Sequence, residues 1–257
     1  MEVSVSHYLS LPKEPGIYFF VDERGKILYV GKAKSLRDRV SSYFINKKHL
    51  APKTGLMISQ AKRIRTIIVE SELESLLLEA NYIQKLKPKY NIDLKDNKNY
   101  PLIRITGGIY PAVLIARRAD DPKSAYFGPY PKASAVKTVL KITRKIFPFQ
   151  SVVNHPKRIC LYHHLGLCPC PPVFDTAEYK KQYRKTIRHL IDFLEGNTKK
   201  VIRDLQKERD EYSKKEDFES ASRVQKQIDA IFYVTQPIHQ PLEYVTNPNL
   251  RHDVREE

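Results

Sequence analysis

Apolar positions early in the chain come in two short runs. Residues 17–21 read IYFFV, residues 27–30 read ILYV, and the polar stretch DERGK stands between them. Short β-branched and aromatic runs around a Gly-containing turn predict a β-hairpin. A loop of residues 22–25 would set Tyr18 opposite Tyr29 with both rings on one face, because strand side chains alternate with period two. A helix is expected over 33–44, then a loop, then a third strand over 64–69. Over 72–86 the period changes: Leu73, Leu76, Leu77, Ala80 and Ile83 recur at helical spacing, which predicts a strongly amphipathic helix.

Beyond Tyr90 the texture shifts. YPLIRIT, YPAVLIARR and SAYFGPY read as short strands broken by Pro and Gly, with a helix expected over 133–146. Residues 147–172 are rich in Pro, His and Cys and show no period, as in a connector or a metal-stapled knot. From residue 177 the chain is helical and charged. Residues 199–231 hold nine Lys/Arg and eight Asp/Glu, so this segment suits a protein partner better than DNA. The expected fold class is α+β: a small domain with a short, mainly antiparallel sheet flanked by helices, then a mixed connector and a C-terminal α-helical hairpin.

Composition adds the partner class. The 257 residues are 41% hydrophobic, enough for a real core, and 45 Lys+Arg against 29 Asp+Glu give a net charge of +16. That excess favours a polyanion, most often nucleic acid, with an anionic membrane surface as the rival. No run of about 18 apolar residues occurs and MEVSVSHYLSLPKEPG lacks a signal-peptide core, so a cytoplasmic chain without a membrane partner is expected. Three cysteines within eleven residues do not form a secreted disulfide framework.

The excess charge is concentrated where chemistry can use it. Residues 31–50 hold six basic residues and one acid, Asp38. Arg39 and Tyr43 stand one helical turn apart and Lys32 two turns before Arg39, so the three can share a side. A solvated basic face that touches phosphates without chemistry fits this pattern too. Glu79 sharpens it, because it falls inside the apolar arc of the 72–86 helix. An ionised carboxylate there costs roughly several kcal/mol to desolvate unless a cation meets it, either a basic side chain or a divalent metal.

GIY at 16–18, YVG at 29–31 followed by KAKSLRDRVSSY, and ESELESLLLEANYIQKLKPKYN together resemble the GIY-YIG nuclease domain in its UvrC form. The resemblance runs on through YFGPY, FPFQS, the cysteine region and the helical segment to about residue 234, the N-terminal half of such a protein. It implies a GIY-YIG nuclease domain over 1–98, a connector with a Cys/His-rich segment over 99–172, a helical region over 173–235 with a UVR-like hairpin at about 199–232, and a tail over 236–257. It further implies that Tyr29 is the general base or the first relay toward the attacking water, that Tyr18 holds that water, and that Lys32 helps lower the tyrosine pKa. Arg39 would stabilise charge on the phosphate and Tyr43 would contact it. Glu79 would ligate Mg²⁺ or Mn²⁺, and Asn91 would support the site. Lys34, Arg37, Lys47 and Lys48 are the expected DNA contacts.

The same resemblance associates the cysteine region with four thiolates and an iron–sulfur cluster. Here there are three, Cys160, Cys168 and Cys170, beside His155, His163 and His164, and the first family position is Ser151 or Val152. Three Cys with one His would suit zinc or a variant cluster. Reduced cysteines packed in a small core are the alternative, and the shortfall of one thiolate points to metal-free or partly zinc-loaded protein. The segment KKEDFESASRVQKQIDAI resembles the hairpin that binds UvrB, with Phe218, Ala221, Val224 and Ile228 as its apolar face and Gln225-Lys226 where Arg-Asp is common. A hairpin closing on its own domain is the alternative. The function implied is metal-dependent incision of damaged double-stranded DNA on the 3′ side of the lesion, with UvrB, in nucleotide excision repair. Two other readings are a non-cleaving DNA- and UvrB-binding adaptor, and a GIY-YIG nuclease for branched or mobile DNA.

Overall fold

Strand β2 (Gly16–Val21) explains the first apolar run, because it lies between two other strands and every residue of it is buried. The computed structural model describes residues 1–45, 50–91, 100–130 and 133–235; Lys47 and Lys48 lie outside these. β1 (Glu2–Ser4), β2, β3 (Ile27–Ala33) and β4 (Arg63–Ile68) form an antiparallel sheet in the order β1-β4-β2-β3. The alternation of β2 divides the core. Tyr18 and Phe20 face a layer containing α1 (Leu36–Ile45) and α2 (Pro52–Gln60), where they meet Leu36, Val40, Tyr43 and Met57. Ile17, Phe19 and Val21 face α3 (Glu72–Leu86) and meet Val30 and Ile83.

The hairpin register differs from the expected one. Tyr18 pairs with Gly31 and Phe20 with Tyr29, and the register shifts between Phe20 and Val21. The turn closes on Asp22, whose amide donates to the Lys26 carbonyl and whose carboxylate accepts from the Lys26 amide, so the loop takes in Lys26. Tyr18 and Tyr29 are therefore diagonal neighbours and still share a face. Helix α2 replaces an expected loop. Its sequence hid it because Met57 is its one buried residue and Gly55 sits mid-helix, while Pro52 opens it at a position that needs no amide donor.

Helix α3 spans the expected residues. The Ser71 hydroxyl accepts from the Glu74 amide at its start, and Lys87 ends it in a left-handed conformation, φ 43°. It is shared between two cores. Ile83 packs on the first sheet, while Leu73, Leu77 and Ala80 enter a second core. That core holds a three-stranded antiparallel sheet, β6-β5-β7, built from β5 (Leu102–Ile105), β6 (Val113–Ala116) and β7 (Ala125–Phe127). Helices α4 (Ala133–Ile146), α6 (Ala177–Leu194), α7 (Thr198–Lys214) and α8 (Phe218–Thr235) close over it through Val139, Leu190, Leu205 and Ile231. The short turn α5 (Leu161–His164) lies in the cysteine segment. Polar bonds tie α3 to this second unit: Asn81 Nδ2 donates to the Leu194 carbonyl at 2.9 Å and Gln84 Nε2 to the Tyr126 carbonyl at 3.0 Å. Among the described residues no helix is long and apolar enough to cross a membrane.

Candidate active site

The two motif glycines are there for space. A Cβ on Gly31 would lie 2.5 Å from the Tyr18 hydroxyl oxygen and 2.8 Å from Tyr29 Cε1, so the tyrosine rings occupy the volume that a side chain would take. A Cβ on Gly16 would lie 2.4 Å from the Ile67 carbonyl oxygen and 2.9 Å from Leu36 Cδ1, so that glycine lets β4 and α1 close on the strand.

Around Gly31 the expected catalytic residues converge. Tyr18 is fully buried and its hydroxyl lies 2.8 Å from that of Tyr43, while the half-buried Tyr29 ring stands 6.0 Å from the Tyr18 ring, centre to centre. Arg39, one turn before Tyr43 on α1, holds its guanidinium 5.3 Å from the Tyr43 ring centre, within cation–π reach. Glu79 arrives from α3 and accepts from the Lys32 amide at 3.1 Å, which aims the carboxylate at the end of β3. Asn91 acts on the same strand. β3 is an edge strand of its sheet, and Asn91 bonds both the amide and the carbonyl of Val30 with its side chain, as a neighbouring strand would.

The electrostatics favour a cation. Burial, then the nearby Tyr29 and Tyr43, push the Tyr18 phenol well above the ordinary tyrosine range. Burial, then Tyr43 and Glu79, push Tyr29 up as well. Arg39 opposes both rises. Lys32, expected to help lower the tyrosine pKa, bears on Glu79. Burial raises the Glu79 pKa, and the Lys32 charge, the Lys32 amide and Arg39 offset part of the rise. The cluster thus offers one carboxylate that is costly to ionise alone, beside phenol oxygens that remain protonated. An all-oxygen donor set with a single protein carboxylate fits a hard divalent ion such as Mg²⁺, which keeps waters and takes phosphate oxygens as its other ligands.

The expected DNA contacts separate. Lys34 is exposed just after β3, whereas Arg37 is half-buried, with its Nε donating to the Leu11 carbonyl at 2.6 Å. In the hairpin of α7 and α8, Phe218 is 67% exposed and Ala221 half-buried. Val224 and Ile228, expected on the same free face, are buried in the second core. The helical period was right, but the stripe turns inward after its first turn. Gln225 bridges the two helices, accepting from Arg209 and donating to Asp229. The cysteines converge. The Sγ atoms of Cys160, Cys168 and Cys170 and a ring nitrogen of His155 all lie within 4.8 Å of one another, and His163 instead meets the Cys168 carbonyl. Sequence proximity could not choose among the three histidines, since His163 and His164 are nearer to Cys160 than His155 is.

Comparison with known proteins places these features in sequence order. Family models match residues 14–92 as a UvrC-like GIY-YIG domain, 100–193 as the UvrC/Cho excinuclease middle domain, and 199–231 as the UvrB/uvrC motif. The UvrABC system protein C of Carboxydothermus hydrogenoformans is 41% identical over 226 residues, covering 86% of this chain and 37% of the relative. That of Caldanaerobacter subterraneus is 42% identical over 228 residues, again 86% and 37%. The Streptococcus pneumoniae protein is 39% identical over 221 residues, 86% and 35%. The chain thus spans 35–37% of the length of these relatives. Among solved structures, the N-terminal GIY-YIG endonuclease domain of UvrC from Thermotoga maritima, bound to its catalytic divalent cation magnesium, is 40% identical; it covers 34% of this chain and 93% of that one, with a TM-score of 0.31. With three matches following one another along most of its length, this chain belongs to the UvrC-like excinuclease proteins and carries their GIY-YIG endonuclease domain.

Proposed function

We propose that the chain is a divalent-metal-dependent DNA endonuclease of nucleotide excision repair, cutting damaged duplex on the 3′ side of the lesion with UvrB as its partner. The observation that carries this reading is the half-buried Glu79 carboxylate, aimed by the Lys32 amide and close enough to Tyr29 of the tyrosine cluster to raise its pKa. Mg²⁺ or Mn²⁺ held at Glu79 would supply Lewis acidity toward the scissile phosphate and the leaving oxygen. Tyr29, the more accessible phenol of the Tyr18–Tyr29 pair, accepts the proton of the attacking water in its phenolate form, its own proton having first left to solvent. Tyr43 bonds the Tyr18 hydroxyl and lies close enough to Tyr29 to raise its pKa, so Tyr18 positions the water through the tyrosine cluster. Arg39 neutralises charge that develops on the phosphate, and its stacking on Tyr43 fixes where that charge is met. Lys34 and the other excess cations bind the backbone by counterion release, so affinity for undamaged duplex falls steeply with salt. Phe218, the exposed apolar end of the hairpin, is the anchor for UvrB. The magnesium of the Thermotoga maritima domain agrees with the oxygen donor set, and the name of the relatives with the repair role.

The test is incision of an end-labelled duplex carrying one defined lesion, with and without UvrB, in Mg²⁺, in Mn²⁺ and in chelator. A single cut on the 3′ side that needs both UvrB and metal is expected. Glu79→Gln should abolish it and leave DNA binding nearly intact. Undiminished cutting by Glu79→Gln, or a cut on the 5′ side alone, would overturn the proposal.

A further inference from the structure

The resemblance of the cysteine region implies an iron–sulfur cluster; the geometry of this chain disagrees. We propose that His155, Cys160, Cys168 and Cys170 close on one tetrahedral zinc ion. Cys170 Sγ lies 3.4 Å from Cys160 Sγ and 4.0 Å from Cys168 Sγ, while His155 Nε2 lies 3.6 Å from Cys168 Sγ and 3.5 Å from Cys170 Sγ. On a tetrahedral zinc with Zn–S near 2.3 Å and Zn–N near 2.0 Å, two sulfurs stand about 3.8 Å apart and a sulfur and a nitrogen about 3.5 Å. The sulfur–sulfur separations straddle the first value, and the sulfur–nitrogen separations lie at or just above the second. A multi-iron cluster spreads its ligands over different irons, which adds an iron–iron span to two metal–ligand bonds. Four ligand atoms within 4.8 Å of one another leave no room for that span. Nor are the thiols disulfide-bonded, since 3.4 Å is far beyond the roughly 2.05 Å of an S–S bond.

The surroundings prepare the same four atoms. His155 Nδ1 lies 2.8 Å from the Pro156 carbonyl, which can only accept, so Nδ1 carries the hydrogen and the Nε2 lone pair faces the sulfurs. The Cys160 amide points at Cys170 Sγ at 3.5 Å, a donor suited to a thiolate. Cys170 is fully buried and adopts φ +47°, a conformation costly for a residue with a Cβ and kept only where the surroundings enforce it. The loop around it is tied to α4, through Arg144 Nε to the Leu167 carbonyl at 2.9 Å, and to α6, through the Tyr179 hydroxyl to the Pro169 carbonyl at 2.5 Å. Three sulfurs and one imidazole, with all four positions taken by protein, are the donor set of a structural zinc site. His155 makes up the missing fourth ligand, against the metal-free or partly loaded state that three cysteines had suggested.

The full chain, without a polyhistidine tag, should be purified anaerobically and assayed for zinc, iron and acid-labile sulfide, with cobalt(II) exchanged into the site for its spectrum. One zinc per chain, negligible iron and sulfide, and a tetrahedral cobalt spectrum with sulfur charge transfer are expected. His155→Ala should lower zinc affinity by more than the ~10–100-fold typical of an outer-shell change, and His155→Cys should keep the tetrahedral spectrum with stronger charge transfer. Should a variant fail to fold, melting the wild type with and without a zinc chelator gives the same answer, a lower Tm without zinc. A brown protein with iron and sulfide, a metal-free protein whose Tm ignores added zinc, or a Cys160–Cys170 disulfide in mass spectra would each overturn the proposal.

Discussion

The tyrosine cluster and the thiol cluster bring polar side chains together by opposite means. Tyr18, Tyr29, Tyr43, Arg39 and Glu79 ride on β2, β3, α1 and α3, elements that are already fixed by a sheet ladder or a packed helix face. His155, Cys160, Cys168 and Cys170 sit on a segment whose regular structure is the single turn α5. In the first, the scaffold holds the groups. In the second, the groups hold the scaffold. Rate and stability should therefore separate: removing a functional atom from the tyrosine cluster should cost rate, and removing a ligand from the thiol cluster should cost Tm.

The largest expected effect is the cleanest test of that contrast. Tyr29→Phe keeps the ring and removes one hydroxyl, so incision should slow by about 10²–10⁴-fold, the range for losing a general base. Stability should move by no more than about 1 kcal/mol, the net worth of one hydrogen-bonding group. Burial, Tyr43 and Glu79 raise the Tyr29 pKa, so the phenol stays protonated at neutral pH and its proton-accepting form grows as pH rises. The wild-type rate should climb with pH between about 6 and 9, and Tyr29→Phe should flatten that climb. Normal cutting by this variant, or a Tm loss matching its rate loss, would break the comparison.

Gly31→Ala probes the same cluster without touching a functional atom. The new methyl would stand 2.5 Å from the Tyr18 hydroxyl oxygen and 2.8 Å from Tyr29 Cε1, so both rings must move. Displacing reacting groups by about an ångström costs on the order of 10² in rate, and overpacking costs about 1–3 kcal/mol. Rate and Tm should fall together, unlike in Tyr29→Phe. An unchanged rate, measured beside the melting curve, would mean that the tyrosine positions are not critical.

These contrasts also mark what the sequence could convey. Local and periodic features were legible: the apolar run of β2, the Leu73–Leu77–Ala80–Ile83 stripe of α3, and the glycine–tyrosine spacing that identifies the site. The pairing of Tyr18 with Gly31 was not, because a bulge after Phe20 shifts the register and a bulge leaves no periodic trace. Helix α2 was missed because one buried Met57 cannot make a stripe. The inward turn of Val224 and Ile228 depends on what α8 packs against, which is tertiary information. His155 and His164 stood level as candidates for the missing ligand because a metal site is defined by convergence in space, and no spacing rule reaches back past Cys160 to choose between them. Arg37 reads as one more phosphate contact until its bond to the Leu11 carbonyl is seen.

The smallest expected effect asks how independent the tyrosine cluster's scaffold is. Helix α3 carries Glu79, and two residues later Asn81 donates to the Leu194 carbonyl at the end of α6, 2.9 Å away and buried. Asn81→Ala leaves that carbonyl without its partner, which should cost about 1–2 kcal/mol in a denaturation midpoint. Glu79 should barely move, because Leu73, Leu77 and Ala80 still seat the helix in the second core and Ile83 on the first sheet. Incision in saturating Mg²⁺ should therefore stay within a few-fold of wild type, since no group at the site is lost. A rate loss well beyond that, at a temperature where the variant is fully folded, would mean that the second unit helps set the position of the carboxylate. The tyrosine cluster would then rely on a distant contact, as the thiol cluster relies on its ligands, and the two would differ in degree alone.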